Sequence, residues 1–175
     1  MNALVVYESM YGNTRQVAEA VAEGLGGAQV VPVQRAGAHA ADVDLLVVGG
    51  PTHMHGLATT SSRRMAVEAA KEDGHAPPEP GAADEPGLRR WLHDLAEADG
   101  ARAASFDTRL DRSPVLTGAA ARGIARRLRR RGYDVVGSES FLVEDSEGPL
   151  ETGELDRARA WGERLARELS AAAAA

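Results

Sequence analysis

Ala3-Leu4-Val5-Val6-Tyr7-Glu8-Ser9-Met10-Tyr11-Gly12-Asn13-Thr14 is the stretch on which the fold turns. Its first five residues, from Ala3 to Tyr7, form an unbroken apolar run with valine at its centre and read as a strand covered on both faces. The residues after it are rich in hydroxyl and amide groups. Beyond them Val17, Val21 and Leu25 recur at four-residue spacing, a helix with a narrow apolar stripe. Strand, short polar turn and helix N-terminus therefore follow directly on one another. Unpaired backbone N–H groups and the positive end of the helix dipole converge at such a junction and stabilise an anion. Ser9 and Thr14 add hydroxyl donors, Asn13 adds an amide, and Gly12 lets the backbone approach closely. The loop holds no cation before Arg15, lacks the Gly-Lys-Ser/Thr ending of a Walker loop, and lacks the spaced glycines of a dinucleotide fingerprint. Neutral donors of this kind suit a phosphate monoester. The competing reading is that Ser9, Asn13 and Thr14 only cap the helix.

Outward from this unit, short apolar runs alternate with helical periodicity, which favours an α/β fold with a parallel sheet. The further strand candidates are Gln29–Val33, Asp44–Val48, Arg102–Phe106 and Asp134–Val143. Pro32 cannot donate to a ladder, so the second strand belongs on an edge. Leu88, Trp91, Leu92, Leu95 and Ala96 mark a second helix, and Ala120, Ala121, Ile124, Ala125 and Leu128 a third. Leu155, Ala158, Gly162, Leu165, Ala166 and Leu169 mark the last, with Trp91 and Trp161 expected in packing roles. Residues 74–87 hold four of the eight prolines and read as an exposed, mobile loop insertion. One domain is expected over residues 1–170, with 171–175 a frayed tail.

Composition narrows the classes of function. The chain has 175 residues, 43% hydrophobic and 26% charged, a net charge of −6 and no cysteine. No disulfide framework, thiolate metal site, iron–sulfur cluster or cysteine nucleophile is available. No apolar run approaches the roughly 20 residues of a bilayer span. The N-terminus enters its apolar run without a basic leader, the expectation for a cytoplasmic protein. Arg122, Arg126, Arg127, Arg129, Arg130 and Arg131 crowd one helix. Such a run reads as a solvated face favoured by the helix dipole, or as a docking site for an anionic partner. The acidic balance and the lack of aromatic interleaving argue against nucleic acid.

Ser9-Met10-Tyr11-Gly12-Asn13-Thr14, placed directly after the first strand, resembles the FMN phosphate loop of the flavodoxin family. The common form there is Ser/Thr-x-Thr-Gly-x-Thr, and Met-Tyr-Gly variants occur in flavoprotein relatives. The resemblance implies a three-layer, doubly wound α/β fold whose five-stranded parallel sheet has the order 2-1-3-4-5. That order places the second strand on the edge, where Pro32 independently belongs, and opens a ligand crevice between strands one and three. It further implies that Pro51-Thr52-His53-Met54-His55-Gly56 covers the isoalloxazine ring, with His53 nearest the usual stacking position and the His55–Gly56 peptide turned towards flavin N5. Two other readings of His53 and His55 stay open, as metal ligands lacking a third partner or as surface residues without a role. Phe106, Asp107, Thr108 and Arg109 would form the second ring-contacting loop. Arg109 is placed beside the flavin N1–C2 edge or, alternatively, in a surface pair with Asp111. Many flavodoxins carry a stacking tyrosine in this loop, and this chain has none.

The resemblance therefore implies a non-covalent FMN electron carrier working between redox partner proteins, a reductase and an acceptor, without nucleic acid or membrane. An FMN-dependent NAD(P)H:quinone or protoporphyrinogen-type oxidoreductase is the alternative, with residues 74–87 as a lid. A flavin-free interaction module is the third reading.

Overall fold

The computed structural model describes residues 2–37, 43–53, 56–72, 74–112 and 118–173. Its strands are β1 (Ala3–Tyr7), β2 (Gln29–Pro32), β3 (Leu45–His53), β4 (Gly56–Leu57), β5 (Arg102–Leu110) and β6 (Asp134–Val143). Its helices are α1 (Asn13–Gly24), α2 (Thr60–Ala69), α3 (Leu88–Asp94), α4 (Ala120–Arg130) and α5 (Glu154–Ala173), with a 3-10 turn at Val33–Arg35.

The main sheet runs β2-β1-β3-β5-β6, and every pair along it is parallel. The short β4 pairs antiparallel with the end of β3, Thr52 opposite Leu57 and His53 opposite Gly56. Leaving that appendage aside, the five parallel strands stand in the expected order, and Pro32 lies on the edge strand opposite Tyr7. Alternation along β1 splits the core in two. Ala3, Val5 and Tyr7 face the layer built by α1 and α5, whereas Leu4 and Val6 face α3 and α4. On the first side Phe106, Phe141 and Trp161 meet edge to face or tilted, with ring centroids 6.1–6.3 Å apart. A Cβ at Gly49 would overlap the Phe106 ring, so β3 is glycine where that ring crosses it. Gly24 and Gly162 serve the same purpose between α1 and α5: a Cβ on either would run into backbone of the other helix.

Several elements differ from the sequence-based expectation. β3 and β5 both run past their apolar segments, to His53 and Leu110, so Asp107, Thr108 and Arg109 lie in a strand rather than in a loop. The cause is ladder pairing: Asp107 stands between Gly50 of β3 and Ser140 of β6, Thr108 between Pro51 and Phe141, and Arg109 opposite Leu142. Ladder hydrogen bonds outweigh the weak strand preference of polar residues. Helix α2 has no apolar stripe and buries only Arg63 of its own residues. Its start is held by a capping box in which Thr59 and Ser62 exchange hydrogen bonds. Helix α3 stops at Asp94, because Leu95 takes an extended conformation, and Ala96 is exposed. Leu155 is 38% exposed and off the packed face of α5, which continues to Ala173, into the stretch expected to fray. No helix among the described residues is long and apolar enough to cross a membrane.

Residues 74–87 are tied down along their length. His75 Nδ1 and the Ala76 N–H meet the Glu147 carboxylate at 2.6 and 2.7 Å. The Glu79 N–H donates to the Met10 carbonyl at 2.7 Å, and its carboxylate pairs with Arg15. Gln34 donates to the Gly81 carbonyl, and Ala82 and Gly87 are buried. The segment is a strap across the turn that follows β1, with its exposed side formed by residues such as Pro77 and Pro80.

Candidate functional site

A cavity of about 470 Å³ opens at the C-terminal ends of β1, β3, β5 and β6, the position a doubly wound sheet reserves for ligands. The turn after β1 forms one end. There Gly12 is the residue before α1, with φ at +90°, a left-handed conformation that glycine adopts without strain. Ser9 Oγ accepts from the Gly12 N–H at 3.1 Å, Asn13 Nδ2 donates to the Glu147 carbonyl at 3.0 Å, and Thr14 Oγ1 lies 2.8 Å from Thr108 Oγ1. The N-cap of α1 is Gly12, and no side chain caps the helix among the described residues. The capping explanation of Ser9, Asn13 and Thr14 is thereby set aside: Ser9 closes the turn on itself, Asn13 braces it against the β6–α5 connection, and Thr14 braces it against β5. Ser9, Met10, Tyr11, Asn13 and Thr14 all line the cavity.

The second wall comes from β3. Pro51, Thr52 and His53 line it, while Gly56 on β4 pairs with His53 without lining the cavity. Met54 and His55 lie outside the described residues. Thr52 Oγ1 donates to Asp107 Oδ2 at 2.7 Å and accepts from the Ala120 N–H at 2.8 Å. Asp107 Oδ2 also accepts from the Ala121 N–H at 3.0 Å. Asp107 is thus a buried anchor for the N-terminus of α4, off the cavity wall. Phe106 is likewise in the core, against Phe141 and Trp161, because its position on β5 turns it to the α1–α5 face. From this group the cavity receives Thr108 and Arg109. The Arg109 guanidinium donates to the carbonyls of Leu110 and Arg112, at 3.0 and 2.7 Å, and no ion pair with Asp111 is found among the described residues.

Residues that the sequence pattern did not single out complete the enclosure. Leu110 and Val143 supply an aliphatic wall at the ends of β5 and β6, and Ser146 and Glu147 follow from the β6–α5 connection. Ala58, Ser62, Arg63 and Ala66 line the α2 side. Beneath that side is a buried charged cluster. Glu8 and Arg63 are each 2% exposed. Arg63 Nη1 donates to Glu8 Oε2 at 3.2 Å, the Leu88 N–H donates to the same oxygen at 2.7 Å, and Arg63 Nη2 reaches Glu85 at 2.6 Å. Burial pushes the Glu8 carboxyl above its ordinary range, against the opposing bonds from Leu88 and Arg63. Hydrogen bonds from Thr60 and Gly87 hold Glu85 below its usual value. Glu8 carries a readable signal, an acid placed directly between an apolar strand and the polar turn. Arg63 carries none, since only the packing of α2 buries it.

Among the described residues no three His, Cys, Asp or Glu side chains are grouped to hold a metal ion.

Five parallel strands in this order, helices on both faces and a polar turn leading into α1 give the chain a flavodoxin-like fold. The flavodoxin domain family model matches residues 4–62, about a third of the chain, from β1 through the turn, α1, β2, β3 and β4 to the start of α2. The chain is similar over 95% of its length to oxidised flavodoxin 1 from Bacillus cereus, covering 98% of that chain, at 17% identity and a TM-score of 0.64. A flavodoxin from the domain Archaea aligns over 97% of this chain and 99% of its own, at 18% identity and a TM-score of 0.61. A flavodoxin, WrbA-like protein from Agrobacterium tumefaciens aligns over 97% of both chains, at 20% identity and a TM-score of 0.59. At such identities the likeness is one of fold. A comparison with curated proteins finds no match.

Proposed function

We propose that this protein binds FMN non-covalently in the cavity at the β1–α1 turn and serves as a cytoplasmic electron carrier between redox partner proteins. The observation that carries this reading is the α1 N-terminus, whose N-cap is a glycine, which no side chain caps among the described residues, and which stands at one end of a cavity large enough for a cofactor. The residues present fit a phosphate there. Gly12 has the left-handed backbone that brings the first helical N–H groups round, and the Ser9 hydroxyl accepts from Gly12 while its own proton stays available. Bound FMN supplies the redox chemistry, as cofactors of this kind do. The chain's residues do the rest. Thr14, fixed by Thr108, holds the turn at a set distance from β5. Pro51, Thr52 and His53 border the cavity on one side, and Leu110 and Val143 exclude water on the other. Arg109, hydrogen-bonded to the carbonyls of Leu110 and Arg112, places its guanidinium group on the cavity wall.

One observation favours the FMN-dependent oxidoreductase as second reading. The wall at Leu110 and Val143 is aliphatic, and the cavity extends to the small side chains of Ala58 and Ala66, which leaves space beside a ring for a substrate.

An absorbance and fluorescence titration of the protein with FMN, using riboflavin as control, tests the proposal. Saturable quenching by FMN, with riboflavin bound far more weakly, is the expected result. Equal or absent binding of the two ends the phosphate assignment. Saturable turnover of NAD(P)H with a quinone, without any added reductase, moves the reading from carrier to enzyme.

A further inference from the structure

Glu8 is a carboxyl group whose hydrogen-bond donors all fall on one oxygen. Oε2 accepts from both Arg63 Nη1 and the Leu88 N–H, whereas Oε1 is buried and has no partner among the described residues. An ionised carboxylate shares its charge over both oxygens, and burying one of them bare is costly. A protonated carboxylic acid matches the arrangement: its carbonyl oxygen takes the two donors and its hydroxyl is the other oxygen. Charge balance points the same way. The groups facing Glu8 are Arg63 from α2, the Leu88 N–H from α3 and Glu85 from the strap. Arg63 is shared between two carboxylates, so the cluster of Glu8, Arg63 and Glu85 carries one negative charge in excess when all three are ionised. Glu85 is 46% exposed at its side chain and keeps its charge in water, whereas Glu8 is enclosed. Glu8 also lines the cavity, as does Arg63.

We propose that Glu8 is a proton-binding site of the cavity wall, holding its proton on Oε1, and that this proton and an anionic occupant of the cavity bind cooperatively. The physical reason is reciprocal coupling: an anion in the cavity disfavours a second negative charge at Glu8, and a neutral Glu8 favours the anion by the same factor. No bond to the ligand forms or breaks; the proton comes from water. The coupling to FMN rests on the reading of the cavity given above, and the proton site itself does not.

Two measurements test it. The first is the dissociation constant of FMN between pH 5 and pH 9 for the wild-type protein and Glu8→Gln, whose amide mimics the neutral acid. The ratio of the two constants cancels the titration of the FMN phosphate and of other groups. Wild-type affinity is expected to fall relative to Glu8→Gln by about fivefold or more as pH rises. A ratio independent of pH, with FMN bound, overturns the coupling while leaving the FMN assignment intact. The second is the carboxyl ¹³C titration of Glu8 in the protein without FMN, assigned by the signal missing in Glu8→Gln. Titration above the other glutamates, moving higher when FMN is added, is expected. Titration at or below them overturns the proton site, and does so even if FMN does not bind at all.

Discussion

Thr14 and Gly49 show how single residues set this molecule's geometry. The Thr14 hydroxyl, 2.8 Å from that of Thr108, is the link between the turn after β1 and the end of β5. Thr14→Leu removes that bond, leaves Thr108 without its partner and adds bulk at the cavity. FMN affinity is expected to fall about tenfold or more, which is about 1.4 kcal/mol, in the fluorescence titration; unchanged affinity would remove this turn from the site. Gly49 faces the Phe106 ring, which Phe141 and Trp161 hold in place. Gly49→Ala forces the ring or the strand to move, and a loss of about 1–3 kcal/mol in denaturant unfolding is expected. Phe106 also illustrates what a residue type does not disclose. As the aromatic nearest the second loop it is a natural candidate for ring contact, and strand alternation decides otherwise by sending it inward.

Among elements, the α1–α5 pair and the β6–α5 junction are the ones whose stability can be predicted. Gly162 lets α5 approach α1 so closely that a Cβ there would overlap the Val21 carbonyl. Gly162→Ala is expected to lower the thermal midpoint through overpacking of about 1–3 kcal/mol, despite alanine's better helix propensity. At the start of α5, burial raises the Glu154 carboxyl, but the hydrogen bond from Arg157, the Leu142 N–H and the Arg157 charge together outweigh it, and the net shift is downward. Arg157 also reaches the Ser140 carbonyl and lies 4.5 Å from the centre of the Phe141 ring, so the group ties α5 to β6. With a folded-state value below the unfolded one, Glu154 contributes stability that is present above its unfolded pKa and is lost as pH falls through the folded one. Glu154→Gln is expected to be less stable than wild type at neutral pH and to lose less on acidification. Parallel stability curves for the two proteins would show that this carboxylate contributes nothing.

At the scale of the whole molecule, the strap of residues 74–87 joins parts that are distant in sequence. It binds the β6–α5 connection through His75 and Glu147, the β1 turn through Glu79, and α2 through Glu85. The Glu147 carboxylate, by hydrogen bond and charge, raises the His75 pKa. A raised folded-state value means that the contribution is complete below the unfolded pKa of about 6.5 and disappears as pH climbs through the folded one. Protection of the strap from proteolysis or amide exchange is therefore expected to fall on going from mildly acidic to alkaline pH, with the step missing in His75→Ala. A step that persists in that variant would assign the transition to another group.

What the sequence determined by itself is the strand–turn–helix unit at residues 3–25, the alternation that makes a parallel sheet, and the edge position that Pro32 requires. These are local properties: side-chain periodicity, turn chemistry and a missing N–H act within a few residues. Only the tertiary structure decided that Asp107 anchors α4, that Phe106 belongs to the core, that the proline-rich segment is a strap, and that Glu8 and Arg63 share a buried cluster. Each of these depends on a partner far along the chain, such as Arg63 at 55 residues from Glu8 or Glu147 at 72 from His75. Burial of a charge depends on which elements pack around it, and no local pattern encodes that enclosure.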